Sequence, residues 1–335
     1  MRSLVVVLCC ATWAAPVSAQ QHARASHTPS PSVRFVVPDW PFPRSASTTG
    51  PALPKDSITP RHVPHSLRSY TDAYLGDMYS VADWHPASHP AMPAIVSRGR
   101  KPAVYACAYC HLPDGQGRPE NATLAGLPMA YVEEQLADLK SGARQTATAR
   151  PYAPFEYMQK IASSLTPAEV RDVAEYFSKL GLHRRPRIVE STKVPAMVIG
   201  SGLYLHAPHT TATEPLGHRV IEMPVSTEQH ERHDSDARYV AYVPPGSVAR
   251  GRILATLGPG KGLKGCTGCH GPDLRGVGVI PPLAGRSPSY IVRQLLAFKT
   301  GKRATAASAP MNQIAGALSI DDMIAAAAYA GSRAP

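Results

Sequence analysis

Acidic and aromatic side chains are both scarce in this sequence: 24 Asp and Glu stand against 35 Lys and Arg, and Phe, Trp and Tyr make up 7% of its 335 residues. The resulting formal charge of +11 suits acidic protein partners, anionic membrane surfaces or nucleic acid. No nucleic-acid-binding motif is present, so only the first two are kept. Few aromatics beside 34 prolines favour long irregular segments over a large conventional core. Beyond the N-terminal stretch no apolar run approaches the roughly 20 residues of a spanning helix. No transmembrane helix is therefore expected after that stretch, though peripheral membrane association stays open.

The first residues read MRSLVVVLCCATWAAPVSAQ, with one cation at Arg2, an apolar run over 4–15, and small residues at Val17 and Ala19. That order predicts a secretory signal, residues 1–19, cleaved after Ala19. Neither Cys9 nor Cys10 follows a small residue, which argues against a lipid anchor. Removal of the signal leaves Cys107, Cys110, Cys266 and Cys269.

Cysteine pairs in an exported chain ordinarily read as disulfides. Here a histidine follows each pair, as CAYCH at 107–111 and CTGCH at 266–270, and C-x-x-C-H is the attachment motif for haem c. The spacing puts both thiols on one face of a helical turn, ready to form thioethers with haem vinyl groups, and the adjacent imidazole reaches the iron. Two covalent haems c are expected, on Cys107, Cys110 and His111 and on Cys266, Cys269 and His270. The sixth iron position then decides the chemistry: a second protein ligand favours electron transfer, an open one favours oxygen or peroxide chemistry.

An internal repeat narrows the choice of that ligand. The two motifs align without a gap through Leu-Ala-Gly (124–126 and 283–285), Tyr131 and Tyr290, Gln135 and Gln294, Leu136 and Leu295, Lys140 and Lys299, Gly142 and Gly301, to Arg144 and Arg303. After six extra residues in the first copy the register resumes at Met158 and Met311, each followed at equal spacing by Ile-Ala and Leu-Thr or Leu-Ser. Of the nine methionines only these two occupy equivalent places behind the haem motifs. Helices are predicted over 131–141 and 290–300. Further helices start at Thr166 and Ser319, each an N-cap with a carboxylate three residues on. Each methionine is expected in a loop just upstream of the last helix.

These paired motifs resemble the class I c-type cytochromes, specifically the two-domain diheme members related to the bacterial cytochrome c4 group. The resemblance covers residues 98–180 and about 248–332. Over residues 181–247, where that family has a much shorter connection, alternating stretches at 194–205, 218–223 and 238–243 predict short β strands in an insertion. The resemblance implies a mainly α fold: two tandem helical haem domains, at 66–180 and 248–333, joined here by that insertion. It also implies His111 with Met158, and His270 with Met311, as iron ligands, and a periplasmic electron carrier of the respiratory chain that meets donor and acceptor proteins. A diheme peroxidase with one open haem site, or the cytochrome subunit of a dehydrogenase complex, are the alternatives. Residues 20–65 depart from the family as a proline-rich, extended or partly disordered arm. The segment 66–97, with Trp84-His85-Pro86 and Met92-Pro93, is expected over the first haem domain. In the insertion, His206, His209, His218, His230 and His233 are read as exposed histidines in a polar loop rather than a metal site.

Overall fold

The computed structural model describes residues 35–44, 56–183, 186–200, 202–260 and 262–335. The expected signal segment, residues 1–19, lies outside them, as does most of the arm.

The first copy opens with two single-turn helices, α1 (Asp72–Leu75) and α2 (Ala94–Ser97). It continues through α3 (Cys107–His111), α4 (Met129–Ser141), α5 (Ala153–Ser164) and α6 (Pro167–Ser178). Gly142 closes α4 in the left-handed region at φ +79°, which a side chain would resist. Thr166 accepts from Glu169 N–H while the Glu169 carboxylate accepts from Thr166 N–H, so α6 begins on the expected capping box. One core unites these elements: Val96, Val132, Leu136, Ile161, Ala174 and Phe177 are buried together, with Met92 packed against them.

Among the described residues seven short strands build the insertion, and the expected stretches at 194–205, 218–223 and 238–243 all carry strand. They are β1 (Arg187–Glu190), β2 (Lys193–Pro195), β3 (Met197–Gly200), β4 (Leu203–His206), β5 (Thr213–Pro215), β6 (Ile221–Pro224) and, after the helix α7 (Thr227–Glu231), β7 (Tyr239–Val243). β7 lies between parallel β1 and antiparallel β6; β2 pairs with β5 and β3 with β4, both antiparallel.

The second copy comprises α8 (Ser247–Leu257), α9 (Thr267–His270), α10 (Pro288–Lys299), α11 (Ala309–Ala317) and α12 (Ile320–Ser332). Ser319 and Asp322 repeat the capping box at α12. Val220 and Val243 of the insertion are buried with Ile324 and Ala328 of α12, so the sheet is seated on the second copy. At its edge Glu222 is buried and accepts from Ser287 Oγ at 2.6 Å and Ser289 Oγ at 2.7 Å, a clamp from β6 to the start of α10. Burial holds the Glu222 carboxyl above its ordinary value.

Two expectations need correction. Met158 and Met311 lie inside α5 and α11, not in loops. Each helix carries its proline, Pro154 or Pro310, in the first turn, where no intrahelical N–H bond is lost, so the proline does not break the helix. The described part of the arm is also not free. Phe42 is buried edge-on against Tyr152 at 5.4 Å, and Val63 is buried with Leu75, Ala82 and Trp84. Isolated apolar anchors in a proline-rich segment suffice to dock it.

Candidate functional site: a haem-binding cavity

α3 and α9 are single turns bearing the two C-x-x-C-H motifs, and the four thiols are free. His111 is buried and its Nδ1 bonds the Ala122 carbonyl at 2.8 Å; His270, also buried, bonds the Pro281 carbonyl at 2.8 Å, the same number of residues downstream. A carbonyl only accepts, so in both rings Nδ1 carries the proton and Nε2 keeps its lone pair for a metal. Burial pulls His111 down to about 4 and also lowers His270, so both stay neutral. Burial, and then the neighbouring Cys110 thiol, pushes Cys107 up to about 12, so that sulfur is uncharged in an apolar wall.

Cys107, Cys110, His111 and Met158 all line one cavity of about 1300 Å³, larger than the roughly 300–1,000 Å³ of ordinary small-molecule sites. Leu127, Leu136, Ile161 and Val173 supply its apolar surface. An apolar cavity with two thiols and an imidazole on one short helix, and a thioether on its lining, fits haem c. In the second copy Cys266 and Met311 pack against one apolar cluster that includes Leu295, Leu318 and Met323.

The wall toward the second copy is polar. Arg144 donates to Gln135 Oε1 at 3.0 Å, Tyr290 Oη at 3.0 Å and Gln294 Oε1 at 3.2 Å, and all four residues line the cavity. Burial opposes ionisation of Tyr290, yet Arg144 and Arg303 together hold its phenol below the usual tyrosine value. Arg286 crosses the same boundary, donating to the Thr123 and Ala125 carbonyls at 2.7 and 3.0 Å.

Against the expectation of an exposed loop, His230 is only 2% exposed and also lines the cavity. Its Nδ1 is 3.1 Å from Tyr239 Oη and its Nε2 is 3.9 Å from Glu120 Oε1; Glu120 in turn meets Arg118 Nε at 3.1 Å. No repeat signal points to this cluster, because Arg118 and Glu120 face Val277 and Val279 in the repeat and His230 sits in the unduplicated insertion. Trp84 and His85 dock on that insertion too, through the Arg232 carbonyl at 2.7 Å and Asp234 at 2.9 Å.

The family model for cytochrome c matches residues 96–181 and 259–332, one match over each copy. With its helical fold and paired motifs, the chain belongs to the class I cytochromes c, as a member with two cytochrome c domains. Covalently bound haem c is the cofactor such domains imply, and electron transfer is their function. Among its relatives is the thiosulfate dehydrogenase electron acceptor of Thiomonas intermedia (strain K12), 29% identical over 235 residues, 69% of this chain and 75% of that protein. Cytochrome c4 of Pseudomonas aeruginosa is 24% identical over 230 residues, covering 67% and 81%. Among solved structures, the as-isolated thiosulfate dehydrogenase (TsdBA) of Marichromatium purpuratum is 29% identical with a TM-score of 0.47. That match covers 71% of this chain but only 39% of the longer solved one.

Proposed function

We propose that this chain is a periplasmic diheme electron carrier that accepts electrons from a dehydrogenase and passes them to a respiratory acceptor. The observation that carries this reading is the repetition of one ligand frame. Each copy has a C-x-x-C-H turn, a histidine fixed by a carbonyl eleven residues on, and a methionine on the helix before the capped last one.

In this reading His111 and Met158 hold one iron and His270 and Met311 the other, each haem tethered through its two cysteines. Haem supplies the one-electron couple, and methionine ligation favours a raised potential. The residues of this chain do the rest. The carbonyls of Ala122 and Pro281 fix the imidazoles, the apolar wall would keep water from the bound group, and Arg144 on the cavity lining would offer it a cation. The N-terminal signal pattern supports export. The thiosulfate dehydrogenase electron acceptors among the relatives support a sulfur-compound dehydrogenase as donor.

The test is to express the full chain with export, fractionate the cells, and quantify haem as its pyridine complex. Two covalent haems in the periplasmic fraction, with the weak far-red band of methionine-ligated ferric haem, are expected. Fewer than two, or a high-spin ferric spectrum, would overturn the paired ligand assignment. Reduction of the purified protein by a thiosulfate dehydrogenase supplied with thiosulfate tests the donor.

A further inference from the structure

The two copies share a sequence frame around their haem motifs but not its exposure. In the first, residues 112–117 are buried and the Arg118 and Glu120 side chains are 10% and 3% exposed. The chain itself provides the cover. His230 of α7 lies against Glu120, His233 meets Tyr109 edge-on at 4.5 Å, and Trp84 ties this segment down through the Arg232 carbonyl. The insertion therefore sits where a partner would have to approach the Cys110 side of the first haem site.

The equivalent face of the second copy is open. Cys269 is exposed, and the positions of Arg118 and Glu120 are taken by Val277 and Val279, 57% and 65% exposed. The Val277 side chain lies over Gly271, 3.3 Å from where a Cβ would stand. Leu257, 75% exposed, ends α8 beside the loop carrying Lys264, and the Lys264 side chain runs along Gly268 between the two cysteines. Lys264 and Arg275 are exposed and enter no ion pair among the described residues. The nearby acid, Asp273, faces Arg333 at 3.7 Å. Exposed Val277 and Val279, with exposed Lys264 and Arg275, thus stand on the two segments that flank Cys269. Exposed cations beside the cysteine select and steer an acidic surface.

We propose that this face of the second domain, centred on Cys269 with Leu257, Val277, Val279, Lys264 and Arg275, is the docking surface for an acidic redox protein. The first domain's equivalent face is closed by the chain's own insertion. External exchange with that partner therefore enters or leaves through the second haem, and the first is reached through the protein. This inference rests on the electron-carrier reading above.

The test uses the exported, haem-loaded protein and the hydroquinone form of an acidic flavodoxin as reductant, followed by stopped flow at several ionic strengths. A fast reaction at low salt that slows as salt rises is expected. The double variant Lys264→Glu, Arg275→Glu should lower the low-salt rate constant about tenfold or more. Val277→Ser with Val279→Ser should lower it at every salt concentration. The reversal Lys101→Glu, Lys160→Glu on the first domain should leave it nearly unchanged. Equal losses from the first-domain reversal, or none from the second-domain variants in chains that dithionite still reduces fully, would overturn the docking assignment. A chain that dithionite cannot reduce would overturn the electron-carrier reading, and this inference with it.

Discussion

Arg144 and Arg303 hold the same position in the two copies and meet each other across the domain boundary in an isolated antiparallel bridge. Each reaches into the other copy: Arg144 donates to Gln294 Oε1 at 3.2 Å, and Arg303 to Gln135 Oε1 at 2.7 Å and Tyr131 Oη at 3.4 Å. Each also donates to its own glutamine, Arg144 to Gln135 at 3.0 Å and Arg303 to Gln294 at 2.9 Å. The residues that reveal the duplication are thus the residues that join its halves, through a network with approximate two-fold symmetry.

Because both arginines share both glutamines, their deletions should not add. Arg144→Ala and Arg303→Ala are each expected to cost about 1–3 kcal/mol, since each removes hydrogen bonds from a charged donor in a buried setting. The double variant should cost clearly less than the sum of the two, and urea unfolding of the haem-loaded protein measures this. Strict additivity would mean that the two arginines act independently.

Replacement of Met158 or Met311 by alanine should remove the far-red band belonging to one haem and lower that haem's potential, leaving the other unchanged. Met158 lines the cavity that also holds His111, and Met311 packs with Cys266. A redox titration followed by absorbance separates the two haems. An unaltered spectrum at either position would place the sixth ligand elsewhere.

Local chemistry made much of this legible in the sequence. The thiol spacing, the repeated N-caps Thr166 and Ser319, and the helices around Gln135 and Gln294 depend on residues within a turn or two, and each is as read. The helices around Met158 and Met311 were hidden by first-turn prolines, which resemble loop signals until the helix start is known. The burial of His230 was hidden for a different reason. It depends on Glu120 and Arg118, far away in sequence, and on the seating of the insertion against the first domain. The packed arm likewise depends on a remote pocket, where Arg293 donates to the Pro41 carbonyl at 3.2 Å.

His230 gives the chain an acid-sensitive site. Burial, outweighing the opposing pull of Glu120, holds its imidazole down to about 4; Arg118 adds to the lowering, and Tyr239 is its hydrogen-bond partner. An unfolded chain would take up that proton near the ordinary value of about 6.5. Between those limits the unfolded state binds more protons, so stability falls as pH falls. His230→Gln should remove this part of the acid loss, flattening stability between about pH 6.5 and 4 relative to the parent. Parallel pH profiles for the two proteins would show that His230 stays neutral in both states or is protonated when folded.

The contact of α8 with α12 allows no side chain at Gly251. A Cβ there would stand 2.0 Å from the Ala325 carbonyl oxygen and 2.7 Å from Tyr329 Cβ, and neither can yield without moving a helix. α12 presents a run of small residues, Ala325 to Ala328, which lets the two backbones come this close. Downstream, α8 braces the second haem motif, because Thr267 Oγ1 donates to the Ala255 carbonyl at 3.0 Å. Gly251→Ala should therefore both destabilise the second domain, by about 1–3 kcal/mol or more, and loosen the turn that carries Cys266 and Cys269. Thermal unfolding should show the loss, and the second haem's absorbance should change first. Gly316, with open space where its Cβ would go, is the control: Gly316→Ala should be tolerated and, being helical, should not lower stability. Equal tolerance at the two glycines would mean that α8 and α12 are not held in this close contact.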